Sequence, residues 1–210
     1  MQPMPELTLP APWRAVALDE ADAPALQRFF DDNPLYFETV TGQPAQPGDA
    51  AAELQERPPE GWPYTAVWRI GFQRVEAPAA GPAPAASIDA MAHIVADLLA
   101  PGVWHLGLFI VATAWHGRGA APLLHDGLSR WAIGQGARWM RLGVVVGNAR
   151  AERFWAACGY QRVARRTGIP AGARLNDVTI MARALTGEPI DRYFALIERD
   201  RPPGWADPVA

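Results

Sequence analysis

The sequence predicts a single α/β domain in which one mixed, twisted β-sheet is flanked by helices. Three observations carry that prediction. Apolar runs with strand periodicity interleave with segments of helical periodicity along most of the chain. Glycine and proline clusters punctuate the junctions. One apolar run, "VWHLGLFIVA", ends in a glycine turn, "HGRGAA", that opens directly into a helical pattern.

In chain order, "WRAVALDE" reads as a first strand ending in acidic residues. "ADAPALQRFFDDNP" reads as a helix, with Asp22 as its cap, Pro24 in the first turn and Leu26, Phe29 and Phe30 on its apolar face. "LYFETVTGQPAQPGD" is rich in turn formers and reads as a loop, followed by a short helix in "GDAAAELQER". In "PYTAVWRIGF", Ala66, Trp68, Ile70 and Phe72 alternate against Thr65, Val67, Arg69 and Gly71, the period of a strand. The low-complexity "EAPAAGPAPAAS" reads as a flexible hairpin connection rather than a domain boundary.

"AHIVADLL" and "VWHLGLFIVA" follow as two strands joined by an "APG" turn. Behind the glycine turn, Leu124, Leu128 and Trp131 recur at helical spacing, and the helix is expected to stop near Gly134 or Gly136. "RWMRLGVVV" is a buried strand, and "NARAERFWAACGY" a helix with Asn148 as cap and Gly159 as stop. "QRVARRTG" and "DVTIMARAL" close the sheet, and the tail adds one more short helix. The expected organisation is an extension over 1–12, the domain over 13–185, and a C-terminal helix with a Pro-rich tail over 186–210.

Composition narrows the function classes. Half of the 210 residues are hydrophobic, which suits one compact core. The formal net charge is −3, so no nucleic-acid partner is expected. All the basic residues are arginine; in so alanine-rich a chain this reads first as compositional bias, although a guanidinium fork also suits phosphate. No run reaches the ~18–20 apolar residues of a membrane helix, so no membrane partner is expected. The opening "MQPMPELTLPAPWR" has neither a basic nor an apolar leader pattern, so no signal peptide is expected. A single cysteine, Cys158, excludes an intrachain disulfide and points to a cytoplasmic setting.

The glycine turn holds the most specific chemistry. A helix N-terminus offers free N–H groups and the positive end of the macrodipole, a natural seat for a phosphate. A Walker loop is excluded because the chain has no lysine. A Rossmann fingerprint would need a third glycine where Pro122 stands and an acid after the next strand, which ends instead in Gly147 and Asn148.

The third pattern fits. The turn "HGRGAA" followed by helix, strand and "NARAERFWAACGY" resembles the GNAT superfamily of N-acetyltransferases. That family's pyrophosphate turn reads Gln/Arg-x-x-Gly-x-Gly/Ala, and His116, Gly117, Arg118, Gly119, Ala120 and Ala121 occupy the six places, with histidine at the first. Its downstream Asn-x-x-Ala-x-x-Phe-Tyr-x-x-x-Gly-Phe pattern falls on Asn148, Ala151, Phe154, Gly159 and Tyr160, with Trp155 where tyrosine is usual. The resemblance implies a GNAT-like fold and acetyl-CoA as cosubstrate. It implies that the pyrophosphate rests on backbone N–H groups between His116 and Ala121, and that pantetheine pairs with the backbone of Phe109, Ile110 and Val111. Asn148 and Trp155 would flank the coenzyme.

Transfer of an acyl group from a thioester to an amine needs a proton acceptor for the amine and a proton for the departing thiolate. The resemblance implies a base on the strand entering the turn, where His105 stands; an ordinary histidine titrates near pH ~6.5, suited to that task. The competing reading is a histidine packed beside Trp104. Asp97 and Glu38 are weaker candidates, and His93 and His125 read as structural or surface residues. Cys158 reads as packing. No cluster along the sequence has metal-ligand spacing, so no metal is expected. Trp155 can donate a hydrogen bond but not a proton, so the thiolate must be protonated otherwise. The expected activity is direct acetyl transfer to a primary amine, with a small-molecule acceptor favoured over a protein; the alternative is a non-catalytic acyl-CoA-binding module. A homodimer is compatible with the sequence.

Overall fold

The computed structural model describes residues 3–75 and 87–206. Seven strands form one sheet in the order β1-β2-β3-β4-β5-β7-β6: β1 (Trp13–Ala17), β2 (Ala66–Arg74), β3 (Ala90–Ala96), β4 (Val103–Val111), β5 (Trp139–Val145), β6 (Gln161–Ala171) and β7 (Arg174–Ala184). Every neighbouring pair is antiparallel except β4–β5, which is parallel because helix α4 (Ala120–Gly134) crosses over between them. The sheet is therefore mixed, as expected. The hairpin expected in "EAPAAGPAPAAS" falls mostly in 76–86, outside the described residues.

Helix α4 and α5 (Ala149–Ala157) cover one face. Leu124, Leu128 and Trp131 pack there against Trp68, Ile70, Phe72, Ile94, Trp104 and Leu106. Helices α1 (Ala23–Asp31), α2 (Pro34–Val40) and α3 (Asp49–Gln55) cover the other, where Leu26, Phe29, Phe30, Phe37 and Leu54 meet Met91, Leu108 and Ile110. Helix α6 (Ile190–Leu196) buries Tyr193 and Phe194 against Val103, Trp139 and Ile180 farther along this second face. Leu7 is buried in the first core and Trp131 Nε1 donates to Pro5 O at 3.2 Å, so the N-terminal segment lies against α4. Among the described residues, no helix is long and apolar enough to cross a membrane.

Three local expectations need correction. The segment read as a loop contains α2: Pro34 starts it and the buried Phe37 anchors it, overriding weak helix formers such as Thr39 and Val40. Asp22 stands at the cap position of α1 without capping it; its carboxylate instead accepts the Asp19 N–H at 2.9 Å, completing a capping box over residues 20–22. Strand β2 does not alternate between core and solvent. Because helices cover both faces, Arg69 is also buried, with its guanidinium donating to the backbone carbonyls of Glu53 and Glu56.

The β4 strand carries two irregularities that open the sheet. His93 pairs with Leu108 and Ile94 with Leu106, leaving Gly107 as an extra, bulged residue. On its other side β4 pairs with β5 only from Val103↔Trp139 to Leu106↔Leu142, whereas β5 stays paired with β7 as far as Val145↔Val178. Beyond Leu106 the two parallel strands part.

Candidate active site

The glycine turn lies where the resemblance places it, between the end of β4 and α4. Gly117 and Gly119 have φ of 72° and 77°, the left-handed region that other residues avoid, and open space surrounds the position a Cβ would take at each. The Arg118 N–H donates to Trp115 O at 3.3 Å. The N–H groups of Gly117, Gly119, Ala120 and Ala121 have no acceptor among the described residues, so four unpaired donors stand at the start of a 15-residue helix. Such a set fits a pyrophosphate. Arg118 is exposed with its guanidinium 5.6 Å from the Trp115 ring centre, and Arg150 lines the adjoining groove. His116 turns back toward the strand, its Nε2 2.9 Å from Val111 O, and burial lowers its pKa.

That groove encloses about 310 Å³ between the end of β4, α2 and the start of α5, with Val111, Ala121, Asn148, Phe154 and Trp155 in its wall. Asn148 Oδ1 accepts the Ala151 N–H at 3.1 Å, so it caps α5 while lining the groove. Trp155 is buried in an aromatic cluster, 5.7 Å from Phe109, 5.3 Å from His125 and 5.3 Å from Tyr160 between ring centres. Ile110 and Val111 bury their side chains in the two cores, and Phe109 lines the groove.

A second cavity of about 250 Å³ fills the cleft between the parted strands, bounded by Gly107 and Phe109 on one side and Gly143, Val144 and Val145 on the other. Beyond it, a cavity of about 490 Å³ lies under α2 and α3, with Asp49, Glu53 and Glu56 in its wall. Tyr36 of α2 borders all three spaces. Burial, then the charges of Glu53 and Glu56, push its phenol well above the ordinary range, so it remains protonated. The β6–β7 hairpin holds α2 in place: Asn176 Nδ2 donates to Val40 O at 2.7 Å and Arg174 to Thr39 O at 2.9 Å.

His105 faces a smaller space of about 190 Å³ that it shares with His93, Glu56, Trp62 and Gly107. Burial and the positive charge of Arg141, whose Nη1 lies 3.5 Å from Nδ1, hold the His105 pKa down at about 3. A histidine so depressed is a poor proton acceptor at neutral pH. Arg141 is itself fixed by Asp200, which is fully buried and also accepts from Tyr193 and Arg166. His93, expected to be structural or superficial, is buried with Nδ1 2.8 Å from Glu53 Oε1 and 3.9 Å from Glu56 Oε2. Donor atoms of these three residues all lie within 4.8 Å of one another, a grouping that linear spacing conceals.

The remaining candidates have other work. Asp97 accepts from Thr65 Oγ1 at 2.7 Å and Gly102 N–H at 2.6 Å, closing the β3–β4 turn. Glu38 is exposed on α2. His125 is buried with Nε2 3.0 Å from Tyr160 Oη and its pKa lowered by burial to about 4. Cys158 is half-buried against the first core, and burial raises its pKa, as suits packing. Sequence reasoning missed Tyr36, Glu53 and Glu56; the one available signal was the pair Glu53 and Glu56 at one-turn spacing in "AAELQER".

Comparison with known proteins agrees with this geometry. No curated protein matches the chain. Among solved structures, an acetyltransferase from Thermus thermophilus is 19% identical, with a TM-score of 0.62 over 85% of this chain and 99% of that one. A spermidine N-acetyltransferase from Vibrio cholerae, in complex with CoA and spermine, is 15% identical, with a TM-score of 0.61 over 84% and 98%. An acetyl transferase from Salmonella typhimurium that modifies the N-terminal serine of ribosomal protein L7/L12 is 12% identical, with a TM-score of 0.64 over 85% and 98%. At these identities the likeness is one of fold. The model of the Acetyltransferase (GNAT) family matches residues 49–160, more than half of the chain and the stretch that holds the turn, the parted strands and the Asn148 helix. The protein is an acyltransferase belonging to the GNAT acetyltransferase family.

Proposed function

We propose that the protein moves an acetyl group from acetyl-CoA directly to a primary amine held in the cleft between β4 and β5. One observation carries the reading: this cleft borders both the groove behind the glycine turn and the carboxylate-lined cavity, with Tyr36 common to the three. The pyrophosphate rests on the N–H groups of Gly117, Gly119, Ala120 and Ala121, with Arg118 beside it and His116 bracing the turn from within. Pantetheine follows the edge of β4 along Phe109, Ile110 and Val111, where pairing with β5 has ended. Asn148 and Trp155 flank the thioester end.

The acceptor approaches from the α2–α3 side. Asp49, Glu53 and Glu56 make that approach acidic, which favours a cationic amine. The acceptors named for two of the similar structures, a polyamine and a protein N-terminus, are both amines. We favour the small molecule and a cytoplasmic setting.

Free-thiol release from acetyl-CoA, followed across a panel of amines, tests the proposal. Turnover well above the uncatalysed rate with at least one primary amine is expected. Acetyl-CoA binding without turnover on any amine would refute it.

A further inference from the structure

We propose that His93 is the proton acceptor for the attacking amine and that Glu53 is the positioning residue that fixes its tautomer. The inference rests on the amine-acetylation reading above. His93 lies on β3 with its side chain only 6% exposed. Its Nδ1 faces two carboxylates, Glu53 at 2.8 Å and Glu56 at 3.9 Å, which keeps the ring proton on that nitrogen. The Glu53 contact is short but off-axis, leaving Oε1 without a well-aligned donor. Nε2 then carries the lone pair, and it is buried with no partner. Such an orphan is costly in a packed interior and calls for an explanation; a bound amine, or one water leading to it, provides one.

The bulge in β4 supplies the route. Gly107 borders both the reaction cleft and the small space that His93 and His105 line. A Cβ at position 107 would stand 3.5 Å from His93 Nδ1 and 3.7 Å from its Cγ, so glycine leaves that edge of the ring uncovered.

The other groups around the ring come from every packed element. Arg69 of β2 is its register partner and is tied to the carbonyls of Glu53 and Glu56; Arg57 and Glu56 come from the segment after α3; Tyr36 of α2 lies beside Glu53. His105 of β4 is held neutral with Arg141 behind it. Of the two histidines in this space, His105 therefore faces a guanidinium and His93 faces carboxylates.

The step balances without a further acid. The neutral amine attacks the thioester carbonyl carbon, and a nitrogen–carbon bond forms as Nε2 takes one proton from nitrogen. The carbon–sulfur bond breaks with its electron pair on sulfur. The imidazolium then releases that proton through solvent to the thiolate, giving amide, free thiol and neutral His93. The shuttle supplies the proton that Trp155 cannot.

The test compares the wild type with His93→Gln and Glu53→Gln, reading thiol release between pH 5 and 9, with the acetyl-CoA-induced rise in Tm as a control for folding and donor binding. His93→Gln should lower kcat/KM for the amine about 10²-fold and flatten the acidic limb, with the Tm rise retained. Glu53→Gln should lower kcat while leaving the KM for acetyl-CoA and the Tm rise unchanged, because an amide holds the ring proton on Nδ1 less firmly than a carboxylate. A native profile in His93→Gln would overturn the assignment and leave the transferase reading standing. Loss of activity on chelation would overturn it too, because the Glu53–Glu56–His93 group would then be holding a metal. A wild type that binds acetyl-CoA yet acetylates no amine would refute both readings. If His93→Gln fails to fold, the 15N spectrum of the wild type decides: a proton on Nε2 of the neutral ring overturns the inference.

Discussion

The glycine turn makes a quantitative claim that an isosteric pair of variants can isolate. Position 119 has φ of 77° and nothing within 4 Å of a built Cβ, so Gly119→Asn and Gly119→Asp should both fold. Both residue types enter the left-handed region more readily than others, and each carries a similar strain of about 1 kcal/mol. The two variants differ by one negative charge, which in Gly119→Asp would lie about 5 Å from a pyrophosphate on the N–H groups of Ala120 and Ala121. At a dielectric between surface and bulk-water values, that repulsion is about 2 kcal/mol, or about 30-fold in Kd.

A thermal-shift titration reads the difference directly. At acetyl-CoA a hundredfold above the wild-type Kd, binding stabilises by about 2.7 kcal/mol; after a 30-fold weakening the same concentration gives about 0.9 kcal/mol. For a chain of this size the rise in Tm should shrink from about 5–10 °C to about 2–4 °C. The gap between the variants should narrow as salt is raised. Equal shifts for Gly119→Asn and Gly119→Asp would place the phosphates elsewhere and refute the cradle.

Three further outcomes follow from the interior. Asp200→Asn leaves Arg141 buried, at 5% exposure, without its anion, and should cost about 3–5 kcal/mol in urea unfolding; a loss below 1 kcal/mol would refute the account. Burial opposes the Asp200 charge, but Arg141, Tyr193 and Arg166 outweigh it and hold its pKa below the ordinary range, so its stabilisation is present above pH ~4 and disappears as pH falls through the folded value. His105 and His125 are held near 3 and 4 mainly by burial, so the unfolded chain binds protons that the folded one refuses; the urea midpoint should fall as pH drops from 6.5 toward 4, and a flat midpoint would contradict this. Trp155→Tyr should change kcat by less than about tenfold, the scale of one hydrogen bond, because the thiolate receives its proton elsewhere. Activation of a hundredfold or more would mean that the tryptophan had been suppressing transfer.

Legibility in the sequence tracks the range of the forces involved. The glycine turn, the Asn148 cap and the strand "VWHLGLFIVA" are written in contiguous residues, and each stands where local chemistry puts it. Helix α2 was hidden because its position depends on Asn176 and Arg174, about 135 residues away. The double burial of β2 was hidden for the same reason, since Arg69 reads as solvent-facing until α3 covers it. The choice of base is the sharpest case. Strand parity puts His93 and His105 on the same face, since His105 pairs with Val95, and a position-by-position resemblance selects His105. What separates them is register. The parallel alignment of β4 on β5 sets His105 opposite Arg141, and Asp200 locks that guanidinium in place. The antiparallel alignment of β2 on β3 sets His93 beside Arg69, whose hold on the Glu53 and Glu56 carbonyls brings two carboxylates to the ring. Two histidines of like kind thus acquire opposite electrostatic surroundings through pairings that only the assembled sheet specifies.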